Sequence, residues 1–299
     1  MKTNITKLIL VIISFCIYAT VNAQNKHEFS VFSGGGLSTL KYTASEGKQK
    51  MSIGGLLGLS YQFFFSQNLS IGTGMEFALY NSTFKLKNLS TRYMTTDIDN
   101  DNFEFRTVVS NYEEKQDIAM IQIPIMLQIQ SGNKHKFYIA AGGKIGINLN
   151  GNYSSKSASI VNTGYYDCED YEHTTQKFIG FGTFADKKAK GNLDFKTAFF
   201  ASAEIGMKWK IGENSSLYTG AYLDYGLNNI SKIETLSNTY PQFIEYNTAH
   251  PRDFAINSIL KSKYTQNGTV HSFTNKIKPF ATGIKLKLAF GKNGSKSTM

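Results

Sequence analysis

Nothing in this 299-residue chain offers a covalent staple. Of its two cysteines, Cys16 lies in an N-terminal apolar run, and Cys168 is left with no partner for a disulfide. Proline is nearly absent, with four in the whole chain, and only 18% of residues are charged. No apolar run reaches the ~20 residues that a spanning helix needs. The longest, Leu8 to Ala19, is too short, so any membrane passage must be made by strands closed into a barrel. Clustered basic runs with interleaved aromatics are also missing. The net charge of +10 therefore does not point to nucleic acid, and lysine-bearing loops facing anionic lipid account for it better.

The first residues do carry a signal. Lys2 and Lys7 precede the apolar run, and Val21-Asn22-Ala23 ends it with small residues at the −3 and −1 positions. This predicts a secretory signal peptide over 1–23, cleaved before Gln24. A domain over 24–291 and a short tail over 292–299 follow.

Eight segments of the remaining chain alternate with period two. They centre on Phe29–Ser38, Ile53–Phe65, Leu69–Tyr80, Ile118–Gln130, Phe137–Leu149, Phe199–Ile211, Leu217–Leu227 and Phe280–Phe290. In the fourth, Ile121, Ile123, Ile125, Leu127 and Ile129 share one face. Five large apolar side chains per strand cannot fit inside an eight-stranded lumen, so the apolar face must point outward to lipid. The gaps alternate too. Short ones at Ser66–Asn68, Ser131–Lys136 and Gly212–Ser215 separate long ones at Lys41–Lys50, Lys85–Tyr112, Gly151–Asp194 and Ser231–Lys276. The expected fold is all-β: an eight-stranded antiparallel up-and-down transmembrane β-barrel with long external loops and short periplasmic turns. The long segments are expected to be polar, sparsely packed and open to protease.

On the inner face the pattern places Glu76, Lys144, Glu204, Lys208, Lys210, Asp224, Lys285 and Lys287, read as a structural lumen charge network. On the outer face it places Phe63, Phe65, Phe199, Trp209, Tyr225, Phe280 and Phe290 as an aromatic girdle. Phe199 and Trp209, like Phe280 and Phe290, are ten residues apart, which matches the ~25 Å height of a barrel's apolar band. Pro124 lacks a donor for the ladder, so a bulge or an unpaired position with a lumen-facing side chain is expected there. Gly34-Gly35-Gly36 has no phosphate-loop ending and reads as tight strand packing.

No catalytic, cofactor or metal site is assigned. Asp97-Ile98-Asp99-Asn100-Asp101-Asn102 imitates the start of a calcium loop but lacks glycine at the sixth position and glutamate at the twelfth. Asp167, Glu169, Asp170, Glu172 and His173 flank Cys168 at spacings that fit no zinc pattern. None of His27, His135, His173, His250 and His271 has a recognisable triad context.

Asp117 to Asn150, with its Ile123-Pro124-Ile125 core, a short turn and the small-residue strand Phe137 to Gly146, resembles the PorT-like outer-membrane β-barrel family of Bacteroidetes. Ala203–Ile230, ending Tyr225-Gly226-Leu227, and the closing strand Gly283–Gly291 are similar to it as well. The resemblance implies a cell outer-membrane barrel with membrane lipid and envelope or secretion-apparatus proteins as partners. It specifies topology rather than activity. The leading expectation is a non-enzymatic barrel that presents external loops and is linked to protein secretion or envelope integrity. A small-solute channel and a membrane-embedded hydrolase or acyltransferase remain open alternatives.

Overall fold

The computed structural model describes residues 27–132, 135–232 and 240–291. The expected signal peptide and the tail after Gly291 lie outside the described residues, as does the centre of the Ser131–Lys136 turn. Eight long strands form the frame: β1 His27–Lys41, β2 Lys48–Phe64, β3 Leu69–Thr96, β4 Asn102–Ser131, β5 His135–Tyr166, β6 Ala198–Lys210, β7 Ser215–Gly226 and β8 Lys278–Phe290. Each pairs antiparallel with its sequence neighbour, and β1 closes the ring on β8 through Phe29 opposite Phe290 to Lys41 opposite Lys278. Closure leaves no unpaired edge within the ring. No helix among the described residues is long and apolar enough to cross a membrane, and the strands do not require one.

The alternation resolves into an apolar outside and a polar inside. Ile53, Ile129 and Ile284 are 78%, 63% and 67% exposed, whereas Ser70, Gln122 and Gln128 are fully buried. In water this outer surface would be untenable, because branched apolar side chains line it on strand after strand. Close approach of strands shapes the inside. At Gly36, opposite Gly283, an added Cβ would lie 2.1 Å from the Thr282 carbonyl oxygen, so the glycine run serves strand packing. Pro124 is buried on the lumen side, as its phase requires. Ladder pairing between β3 and β4 lapses beside it, from Thr73 opposite Ile125 to Glu76 opposite Gln122. The register is unchanged across the lapse, so this is an unpaired position and not a bulge. The Thr73 hydroxyl donates to the Pro124 carbonyl at 2.9 Å.

The external connections are longer than the turns at the other end, yet they are far from the sparse loops expected of them. Most of Lys85–Tyr112 is a continuation of β3 and β4, paired out to Thr96 opposite Asn102. Much of Gly151–Asp194 is likewise strand, since β5 runs on to Tyr166 and the strand Gly182–Asn192 pairs back against it. The barrel thus carries a tall curved wall on one side. The chain between β7 and β8 fills the hollow of that wall. Phe243, Ile244, Tyr246, Ile259 and Phe273 are buried there against Phe84, Phe103, Phe105 and Tyr112. Phe103 stacks on Tyr166 at 5.0 Å and meets Tyr246 edge-on at 5.1 Å, and Tyr112 meets Phe243 at 5.0 Å. Each such ring contributes roughly 1.5–3 kcal/mol by leaving water. Backbone stitching adds to it: Tyr246 N–H donates to the Tyr93 hydroxyl at 2.8 Å and Thr265 N–H to Thr91 Oγ1 at 3.0 Å.

A broad-specificity protease added to whole cells should therefore cut only at loop tips such as Asp97–Asp101 or Asp167–Thr175. The paired stretch Glu104–Glu114 should stay intact. Early cleavage inside that stretch would contradict a folded external wall.

Candidate functional site: the barrel interior and its cap

Inward-facing positions of six different strands bring eight charges together. Glu28, Glu76, Glu204 and Asp224 meet Lys144, Lys208, Lys285 and Lys287, and none is more than 8% exposed. The signs balance, four against four. Lys144 Nζ sits 2.6 Å from Glu76 Oε1 and 3.0 Å from Asp224 Oδ2, and the Ser202 hydroxyl donates to the other Asp224 oxygen at 2.7 Å. Lys285 pairs with Glu204, whose second oxygen lies 3.9 Å from Lys287 Nζ. Toward the turn end, Glu28 accepts from Lys208 Nζ at 2.5 Å and from the Tyr218 hydroxyl at 2.6 Å. Aromatic faces complete the packing, with Lys285 4.0 Å from the centre of the Phe32 ring and Lys208 4.9 Å from that of Tyr218.

Buried charges persist only when paired, and each of these eight lies within 4 Å of an opposite charge in a lumen that side chains fill, with Glu76 Oε2 left without a hydrogen bond. A cavity lined by the network, beside Glu204, Lys285 and Lys287, has a volume of about 30 Å³, room for water and little else.

Seven of the eight sequence-derived inner-face charges, Glu76, Lys144, Glu204, Lys208, Asp224, Lys285 and Lys287, lie inside. Lys210 does not: it is exposed at the end of β6, where the strand leaves the barrel. Glu28 was missed. Its position two residues into β1 gave too short a run of alternation to fix its face. The aromatics fall at two levels. Phe63, Phe65, Trp209 and Phe290 stand at the short-turn end, where Phe63 and Phe65 meet edge-on at 5.3 Å and the Trp209 indole donates to Thr219 Oγ1 at 2.9 Å. Phe199, Tyr225 and Phe280 stand at the other, where Tyr225 and Phe280 pair across strands with ring centres 6.4 Å apart.

Above the outer apolar band, the cap is pinned by Glu114. This fully buried carboxylate accepts from the Tyr112 hydroxyl at 2.6 Å, Gln116 Nε2 at 2.8 Å, the Ser258 hydroxyl at 2.7 Å and Ile259 N–H at 3.1 Å. The last two belong to the chain that fills the wall's hollow. Burial pushes the Glu114 carboxyl above the usual range, against the pull of its four donors. Sequence reading left it unmarked, because a lone glutamate in a polar stretch carries no pattern.

The acidic tips serve local structure. Asp97 Oδ1 accepts from the backbone of Asp99 and Asp101 at 3.0 and 2.9 Å, closing the turn in which Asn100 takes φ 66°. Glu172 accepts from Arg106 at 3.2 Å and Thr163 at 2.7 Å, and Asp170 from the Tyr165 hydroxyl at 2.8 Å. Among the described residues no group of three His, Cys, Asp or Glu side chains stands close enough to hold a metal.

Comparison with solved structures returns outer-membrane proteins at very low identity. Neisserial surface protein A matches at 8% identity over 90% of this chain and 98% of its own, with a TM-score of 0.32. OprG from Pseudomonas aeruginosa matches at 10% over 89% and 97%, with a TM-score of 0.35. Ail of Yersinia pestis, in complex with the heparin analogue sucrose octasulfate, matches at 10% over 89% and 99%, with a TM-score of 0.32. A comparison with curated proteins gave no match. Residues 22–232 match the model of the outer membrane protein beta-barrel domain, so the chain belongs to that family and sits in the outer membrane.

Proposed function

We propose that the chain is a non-enzymatic anchor: a barrel without a through-path that holds a folded β-wall and its cap outside the cell. The observation that carries this reading is the charge-balanced lumen, in which Lys144, Lys208 and Lys285 each close onto carboxylates of other, non-adjacent strands. A permeation pathway needs accessible charges, and these are buried. The cap over the same end, with its aromatic core, supports the reading further. The seven girdle aromatics are assigned to the two lipid–water interfaces, where amphipathic rings are favoured.

The resemblance of Asp117–Asn150 to the PorT-like family of Bacteroidetes supports a task in protein secretion or envelope integrity, with the external wall as the surface that meets partners. The basic start, short apolar run and Val21-Asn22-Ala23 support export by a leader cleaved before Gln24.

Fractionation with co-purification tests the proposal. The protein should appear in the outer-membrane fraction with Gln24 as its first residue. It should migrate faster on gels unheated than boiled and bring envelope proteins with it. Recovery from the aqueous periplasm, or turnover of phospholipid or peptide substrates by the purified barrel, would overturn it.

A further inference from the structure

The lumen charges cancel, so the chain's surplus of basic residues lies elsewhere. Much of it is gathered on the outer face of the tall wall. One row across five strands reads Lys48, Lys85, Glu113, Lys156 and Lys188 in direct register. The next row, two residues nearer the membrane band, reads Lys50, Thr83, Lys115, Ser154 and Lys190. Seven lysines thus face outward around one glutamate. Glu113 accepts from Lys85 at 2.7 Å and lies 3.8 Å from Lys156. The Lys85 hydrogen bond, with Lys156 and Lys115 nearby, holds its carboxyl below the usual range despite partial burial.

Two of the cross-strand pairs are lysine opposite lysine, Lys48 with Lys85 and Lys156 with Lys188. Like charges directly opposite destabilise a sheet unless an anion sits between them. Beside them the wall carries a groove of about 540 Å³ lined by Glu113, Lys115, Ser154, Lys156, Lys188 and Lys190. That volume admits a phosphate with its attached headgroup.

Height identifies the anion. The unbroken run of large apolar residues on the outer face of β3 ends at Leu79, followed by Asn81, with Asp117, Asn152 and Asn192 in the same row. The row of Thr83 begins four residues beyond Leu79. At ~3.4 Å per residue and ~40° tilt, that is about 10 Å above the apolar edge. Lipid headgroups occupy the ~5–7 Å outside the hydrocarbon core, and a lysine stem reaches back to that level. We infer that this lysine-lined groove binds the phosphate groups of anionic lipid in the outer leaflet. The inference rests on the membrane-barrel reading and adds a lipid-selective site to it.

The test uses the purified full chain in mixed micelles of equal dioleoylphosphatidic acid and dioleoylphosphatidylcholine, with retained lipid quantified after washing in detergent. The native chain should retain phosphatidic acid selectively. Joint replacement of Lys115, Lys156, Lys188 and Lys190 by Gln should reduce that selectivity by roughly fivefold for each lysine removed, and replacement by Arg should preserve it. Insertion into pure phosphatidylcholine vesicles, read by gel mobility without heating, is the separate measure of the barrel reading, and both proteins should pass it. Equal selectivity in the Gln variant, or release of phosphatidic acid by equimolar inorganic phosphate, would overturn the lipid site. Failure of the native chain to insert would overturn the barrel reading instead.

Discussion

Replacing Lys144 with Met should lower the stability of the barrel by about 3–5 kcal/mol, among the largest losses available at any one position. The side chain is 2% exposed and neutralises two carboxylates, those of Glu76 and Asp224, which are as deeply buried as it is. Removing the cation leaves both acids without a counter-charge in a buried site, and this outweighs any gain from burying the thioether. Chemical unfolding in detergent, followed by the loss of fast migration in unheated gels, measures it. The cost should fall sharply when Glu76→Gln and Asp224→Asn are added, because the triple variant leaves no unpaired carboxylate at that site. Wild-type stability in Lys144→Met alone would mean that water reaches the site and the network contributes little.

The second large effect is in the cap. Glu114→Ala deprives Tyr112, Gln116, Ser258 and the Ile259 amide of their shared acceptor at once. A buried donor left unsatisfied costs about 1–3 kcal/mol, and two of these four belong to the segment that the carboxylate holds down. The cap chain should then detach from the wall while the barrel stays closed. Protease should cut at Arg252 or Lys261 in the variant at a rate at least tenfold above the native chain, with unheated gel mobility of the uncut protein unchanged.

The pH dependence has a defined sign. Because burial raises the folded-state pKa of Glu114 above its unfolded value, the folded cap holds the proton more tightly. Its contribution is full below the unfolded value, near ~4.3, and declines as pH rises through the folded one. Native-state hydrogen exchange at Ile259 should therefore report a tighter cap at pH 5 than at pH 8 after correction for the intrinsic rate. In Glu114→Gln that difference should vanish.

The barrel was legible because a lipid-facing strand must alternate without error over ten residues. Ile121 to Ile129 on β4 and Phe280 to Phe290 on β8 announce both the strands and their faces. The wall and cap were not legible, and the reason is a slip of phase. Lys87 and Asn111 lie unpaired between β3 and β4, Asn111 and Ala158 between β4 and β5, and Ala158 and Asp186 beyond. Asn111 and Asp186 both take φ 50°, a left-handed conformation that Asn and Asp tolerate best. Along this transverse line buried positions jump by three, from Leu86 to Leu89 and from Val109 to Tyr112. Period two is broken there on every strand, so a continuous wall reads in sequence as a polar loop. The core beneath it joins residues far apart along the chain, such as Tyr112 and Phe243, which no local pattern links. For the lumen, phase sufficed to choose the residues. It could not pair them, since Lys208 finds Glu28 180 residues away.

The barrel is closed, and its own side chains seal the lumen. Single-channel recording of the purified native protein in a planar bilayer tests this most directly. A silent baseline with no steady conductance is expected across the range of applied voltage. A large, stable, reproducible single-channel current would contradict it, and would make permeation the function to pursue.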